Sequence, residues 1–271
     1  MKRVRGLMAE PLKLAAYRKA LDARQEPHDY NTFRDYRDPD RTDEETPYSE
    51  LKLKLHEAQH GLCAYCEISV RHKGGPFQVE HYRPKSGGVE RHLDFQNLLG
   101  CCEGGVNPNH ARHEGHYFPP PKENSSCGAR KDDHEPSVLG ILDPRKIPLL
   151  SSGPALPAIV TVDDEGVIEP NEEGCKAVGI EKKDVQKALD KLGLNVPRLK
   201  LERKNLWGSL KKLEPDLSMA FIADQLAPRR NEADTLVLQK FWSTRRCFLN
   251  SLLPNAAEAW LATDEARTAL C

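Results

Sequence analysis

Two cysteines stand in "GLCAYCEISV" (61–70), Cys63 and Cys66, with two residues between them. Such a pair can be a dithiol redox centre, half of a metal site, or two buried thiols with no chemistry. Cys101, Cys102 and Cys127 follow downstream. Close cysteine pairs are the usual source of the four thiolates around a tetrahedral structural Zn²⁺. Here the first pair is tight and the second is split by a long insertion. Spacing alone leaves open whether Cys101 or Cys102 joins Cys63, Cys66 and Cys127.

Between the cysteine groups lies "VEHYRPKSGG" (79–88). Glu80 offers an oxygen ligand for a hard cation, and His81 beside it offers a base that titrates near neutrality. Asn97, in "FQNLLGCC", can pin with its amide the loop that carries such a base. Pro84 stiffens that loop, and Arg83 and Lys85 charge it.

Several elements must position these groups. "EPLKLAAYRKALDAR" reads as a helix. Thr46-Pro47 opens a second one, with Leu51, Leu55, Ala58 and Leu62 on one face and Gly61 as its stop. Residues 63–82 read as extended, with "HKGGP" as a turn, and 91–99 as a short helix or bend. Residues 103–136 read as a long loop, and 142–157 as a linker. "AIVTVDDEGVIEP" (158–170) reads as a hairpin turning near Asp164–Gly166. From about 181 the pattern is helical: Val185, Leu189 and Leu192 share one face, and Leu199, Leu206, Leu210 and Leu213 another. The expected fold class is α+β, mostly helical. Its divisions are an N-terminal arm (1–47), a metal-binding module (48–142), a linker (143–157), and a hairpin with a helical C-terminal region (158–271).

Composition narrows the function. Charged residues make up 30 % and apolar residues 38 %, which fits a polar globular chain with enough length for a real core. No apolar run reaches eighteen residues, and "MKRVRGLMAEP" lacks the apolar stretch of a signal peptide. The expected location is the cytoplasm, where eight cysteines do not make a disulfide framework. With 40 basic and 41 acidic residues the chain is no nonspecific DNA coat. Contact with nucleic acid needs a local patch, drawn from Arg71, Lys73, Arg83, Lys85, Arg91, Arg130 and Lys131. Arg83 and Lys85, beside His81, are the favoured pair. There is no G-x-x-x-x-G-K-[ST] phosphate loop.

Taken together, "CAYCE…VEHYRPKS…NLLGCCEGG…CGARKDD" resembles the HNH endonucleases, built on a zinc-stabilised ββα-metal fold. More closely, with "EAQHGLCAYCE" and the downstream "LGLNVPRLKLERKNL", it is similar to the HNH proteins that accompany retrons and Septu defence systems, the PtuB-like group. The resemblance is strong over 56–131 and extends over most of 1–213. It implies that Cys63, Cys66, Cys102 and Cys127 hold structural zinc, with Cys102 preferred because the C-x-G-G turn fits it. It also implies that Glu80 binds a catalytic Mg²⁺ or Mn²⁺, that His81 is the general base, and that Asn97 is the middle letter of H-N-H. The third letter, a His or Asn after the last cysteine, is Gly128 here. Asp132 is the favoured substitute on helical spacing. Asp133, His134, His110, His113 and His116 stand nearby, and Mg²⁺ also tolerates one protein ligand with more water.

The implied activity is cleavage of DNA phosphodiester bonds by the effector of an anti-phage defence system, working with an ABC-type ATPase (PtuA-like). Trp207, Phe221, Phe241 and Trp242 either face that partner or fill the chain's own core. Two other readings stand. A thiol–disulfide oxidoreductase would place C-x-x-C at a helix start within a βαβ pattern, whereas this pair follows a helix. A zinc-stabilised, catalytically silent module that binds nucleic acid or the ATPase is the reading Gly128 keeps open.

Overall fold

The computed structural model describes residues 3–37, 46–72, 75, 77–106, 124–140, 142–148, 155–213 and 217–270. About half of these are helical, and the strands form small two-stranded sheets, so the α+β class holds. Lys73, His110, His113 and His116 lie outside the described residues.

The first three helices are α1 (Leu12–Arg24), α2 (Tyr30–Asp35) and α3 (Pro47–Ala58). Thr46 caps α3 as its sequence suggests: its hydroxyl accepts the Ser49 amide, and Pro47 fills the first turn. The helix ends at Ala58, before Gly61, because His60 (φ 52°) and Gly61 (φ 69°) both turn left-handed. Gln59, buried at that end, donates to the Leu62 and Gly100 carbonyls and accepts the Gly100 amide. These bonds dock α3 against the strand that carries Cys101.

Residues 63–82 are not one extended run. Cys63 to Glu67 form a tight knuckle, closed by the Glu67 amide to the Cys63 carbonyl and the Cys63 amide to the Ile68 carbonyl. Glu67 takes a left-handed backbone (φ 64°) there. Only Gln78–His81 (β1) is strand, paired antiparallel with β2 (Leu98–Cys101) so that Glu80 faces Leu99 and His81 faces Leu98 in register. Residues 91–99 hold a short 3₁₀ turn, Phe95–Asn97, capped by Asp94. The expected loop region contains a short helix, α4 (Cys127–Lys131), and a second, α5 (Pro136–Leu139), begins at the end of that region. Within the stretch read as linker, Pro144 and Ile147 are buried, and the Pro144 carbonyl accepts the Val4 amide.

The hairpin forms as β3 (Val160–Val162) and β4 (Ile168–Pro170), with Gly166 at φ 76° in its turn. It leads into α6 (Glu172–Val178), α7 (Lys182–Lys191) and α8 (Pro197–Lys211). Val185, Leu189 and Leu192 are fully buried, as their spacing suggests. Leu213 is exposed because α8 stops before it. Helix α9 (Met219–Leu226) is followed by a small hairpin the helical reading missed, β5 (Arg229–Arg230) with β6 (Leu236–Val237). The chain continues through α10 (Trp242–Leu252), α11 (Ala256–Leu261) and α12 (Asp264–Leu270).

One core runs from Val4 through the cysteines and β1–β2 to Leu199 and Phe241. A second joins Leu62 to Ile222, Trp242, Leu249 and Trp260. Phe241 and Trp242 are buried in these cores, and Trp207 is buried in a small third cluster with Leu210 and Phe248, so the three are not available as a partner-facing row.

Candidate active site and metal centre

The thiols of Cys63, Cys66, Cys102 and Cys127 are all buried, and their Sγ atoms lie within 4.8 Å of one another. Cys63 Sγ is 3.8 Å from Cys127 Sγ, and Cys66 Sγ is 3.7 Å from Cys102 Sγ. This donor set could hold a metal such as zinc. Cys101 is buried in β2 and stays outside the set.

The surroundings suit thiolate. Gly104 donates its amide to Cys102 Sγ (3.4 Å), and Ser126 its hydroxyl to Cys127 Sγ (3.4 Å). Cys127 enters α4 with a left-handed backbone (φ 57°), an arrangement that disfavours a side chain and that the Leu192 carbonyl supports by accepting its amide (2.8 Å). Burial pushes the Cys66 and Cys127 thiols up, so charge on them calls for a cation. Arg198, from α8, is one such neighbour. Burial works against its charge, yet the neighbouring cysteine sulfurs favour it and hold its pKa above the ordinary value. Its guanidinium also donates to the Ser126 hydroxyl. Nothing in the sequence marked Arg198, because its role depends on α8 packing across the cysteines.

Above this cluster, β1 presents Glu80 and His81. The His81 ring is buried, with Tyr30 of α2 edge-on to it (centroids 4.6 Å apart, 85°). His81 Nε2 lies 2.9 Å from the His92 carbonyl. A carbonyl only accepts, so in the neutral ring Nε2 carries the proton and Nδ1 keeps the lone pair. Burial, aided by the charges of Lys85 and Lys131, lowers the His81 pKa to about 4. The ring is therefore neutral at physiological pH.

Asn97 is buried behind the loop that follows His81. Its Oδ1 accepts the Arg83 amide (2.8 Å), and its Nδ2 donates to the Arg83 carbonyl (2.9 Å) and the Arg91 carbonyl (3.2 Å). Its own carbonyl accepts the Tyr82 amide (2.9 Å). Arg83 is exposed and pairs with Asp94 at 3.4 Å. Lys85 places its ammonium 4.8 Å from the Tyr30 ring centroid. Tyr82, Arg83 and Asn97 also line an open groove with Arg3, Arg145 and Lys146, cations far from the motif in sequence.

The structure departs from expectation at α4. Lys131, counted among the exposed basic residues, is buried, and its Nζ lies 2.9 Å from Glu80 Oε1. Apart from this ion pair, Glu80 Oε1 has no hydrogen-bond partner among the described residues. Burial pushes the Glu80 carboxyl up, against the pull of Lys131. Asp132 does not share the helical face of Gly128: α4 ends at Lys131, and Asp132, at φ 51°, is exposed. A Cβ on Gly128 would come within 2.4 Å of Glu80 Oε2. The Glu80 carboxylate thus fills the space that a side chain at 128 would need.

No family model matches the chain. Among curated proteins, it is 33 % identical over 174 residues to the Escherichia coli protein named "Retron Ec83 putative HNH endonuclease", covering 59 % of this chain and 65 % of that one. It is 30 % identical over 157 residues to "Retron Vc95 putative HNH endonuclease" of Vibrio cholerae serotype O1 biovar El Tor, covering 57 % and 62 %. This chain is similar to the HNH endonucleases of retrons. It spans less than two thirds of the relatives it matches. No helix among the described residues is long and apolar enough to cross a membrane.

Proposed function

We propose that the chain is a metal-dependent HNH endonuclease that cleaves DNA, with β1, β2 and α4 as its ββα-metal module and structural zinc on Cys63, Cys66, Cys102 and Cys127. The observation that carries this reading is the His92 carbonyl on His81 Nε2, which leaves Nδ1 unprotonated and free to act as a base. His81 takes the proton of the attacking water at Nδ1. Asn97 holds residues 83–91 through Arg83 and Arg91, and so fixes the carbonyl that orients the ring. Arg83 and Lys85 meet the DNA backbone from the same loop. The zinc takes no part in the chemistry. It replaces the apolar core that so small a unit cannot build.

The Glu80 carboxylate is an oxygen donor of the kind a hard cation takes, and Gly128 adds none. Mg²⁺ accepts one carboxylate with water and substrate phosphate, so the residues suit a single-carboxylate site. When bound, Mg²⁺ or Mn²⁺ supplies charge stabilisation at the scissile phosphate.

The role as effector of an anti-phage system, working in the cytoplasm with an ABC-type ATPase, is supported by the retron names of the relatives and by the near-zero net charge, which suits a nuclease held by a partner. The catalytically silent module remains as a second reading, favoured by Gly128 and the Glu80–Lys131 pair. Plasmid cleavage with Mg²⁺ or Mn²⁺, comparing wild type with His81→Ala, with and without a neighbouring ATPase, decides between them. Cutting lost in His81→Ala supports the nuclease. Folded, zinc-loaded protein that never cuts supports the silent module.

A further inference from the structure

Lys131 is a lysine with no exposed face, and its ammonium sits where a cation for Glu80 would sit. We propose that Lys131 is a built-in counter-ion that keeps the Glu80 site closed to divalent metal until the ammonium is displaced. The proposal rests on the reading of Glu80 as a metal ligand, and it assigns to Lys131 the control of metal occupancy.

Three observations carry it. First, Lys131 Nζ lies 2.9 Å from Glu80 Oε1, with 2 % of the lysine side chain and 12 % of the glutamate side chain exposed. A carboxylate in such surroundings needs a compensating charge, and at this distance a second cation on the same oxygen would repel the first strongly. Second, the ammonium is held from its far side, donating to the Asp132 carbonyl at 3.1 Å. Asp132, at the end of α4, takes a positive φ of 51°. Third, the side of the Glu80 carboxylate that faces Gly128 is closed. The Gly128 backbone lies against Oε2 so tightly that a Cβ would overlap it. No side chain at 128 can hold a metal on the open side while Glu80 keeps this position. Occupancy is therefore a two-way exchange: ammonium or divalent ion at Glu80, never both.

An exchange of this kind makes metal affinity low in the resting chain and raises it when the ammonium is drawn away. An anion that approaches α4 could draw it, and a DNA phosphate is the anion the proposed function brings there.

The test titrates Mn²⁺ into full-length, zinc-loaded protein without DNA, following free Mn²⁺ by electron paramagnetic resonance. Lys131→Met removes the charge at nearly the same length. It should bind one Mn²⁺ at least about tenfold more tightly than wild type. Glu80→Gln in the same background should abolish that site, and Lys131→Arg should stay as weak as wild type. Folded, zinc-loaded Lys131→Met that binds no more tightly than wild type overturns the proposal. If Lys131→Met fails to fold, wild type itself decides. The buried ammonium should give an exchange-protected ¹⁵N–¹H signal that Mg²⁺ removes, and a signal unchanged at saturating Mg²⁺ overturns the idea. None of these readouts uses cleavage. Protein that cuts DNA but fails them leaves the nuclease reading intact, whereas protein that passes and never cuts loses only that reading.

Discussion

The Glu67 carboxylate accepts both the backbone amide (2.7 Å) and the hydroxyl (2.6 Å) of Ser243, a residue 176 positions away. Ser243 is in the first turn of α10, so the acid of "CAYCE" caps a helix in the far C-terminal part and meets the positive end of its dipole. The Glu67 carbonyl also accepts the Phe241 amide. The knuckle that carries Cys63 and Cys66 is thus fastened directly to the C-terminal helices. Glu67→Ala leaves a buried amide and hydroxyl without their acceptor, and stability should fall by about 2–4 kcal/mol. Denaturant midpoints of zinc-loaded wild type and variant measure it. A change under about 0.5 kcal/mol would show that the cap is replaced by water.

The two adjacent cysteines should behave differently. Cys102→Ser removes a proposed ligand and should cut zinc content well below one per chain and unfold the module. Cys63→Ser should do the same. Cys101→Ser changes a buried thiol outside the four-thiol group and should keep its zinc, with about 1–2 kcal/mol lost to burying a hydroxyl. Metal analysis of the purified variants checks this. Zinc lost from Cys101→Ser but kept in Cys102→Ser would reverse the assignment.

Asn97→Asp keeps an acceptor for the Arg83 amide but loses both donated bonds to carbonyls 83 and 91. It should fold with reduced stability and cleave about 10–100-fold more slowly, since a loosened loop no longer fixes the His81 ring. Cleavage kinetics alongside a melting curve separate the two effects. Wild-type rates from this variant would remove Asn97 from the site.

His81 has a folded pKa of about 4, below the ordinary value of 6.5. Between those values the unfolded chain takes up a proton that the folded chain refuses. The stability His81 contributes is therefore full above about pH 6.5 and is lost as pH falls towards 4, by up to about 3 kcal/mol. His81→Phe should flatten that part of the pH–stability curve. The acid limb of cleavage should likewise fall well below pH 6.5, and a bound divalent cation would move it further the same way.

Gly128→Ala should disturb Glu80 because the added carbon meets its carboxylate at 2.4 Å. No left-handed backbone is involved at this position, so the cost is crowding rather than conformational strain. Mn²⁺ binding and melting temperature should both change. A silent substitution would mean that Glu80 has room to move, and with it the ion pair to Lys131.

Local patterns in the sequence were enough to place the Thr46-Pro47 helix start, the hairpin turn at Gly166 and the buried face of Val185, Leu189 and Leu192. Each follows from capping, turn chemistry or period, which act between near neighbours. Spacing also brought Glu80, His81, Asn97 and the cysteines forward as one candidate group. The C-x-G-G turn favours Cys102 over Cys101, and Cys102 joins the four-thiol cluster. Three outcomes belonged to tertiary structure alone. Lys131 is buried instead of solvated because a short α4 swings it onto Glu80. Asp132 misses the face of Gly128 because that helix ends one residue sooner. Glu67 becomes a cap for α10 because the chain folds back over 176 residues. The sequence by itself determined which side chains could do chemistry. Which of them meet, and with what charge beside them, depended on long-range packing, whose contacts no local period encodes.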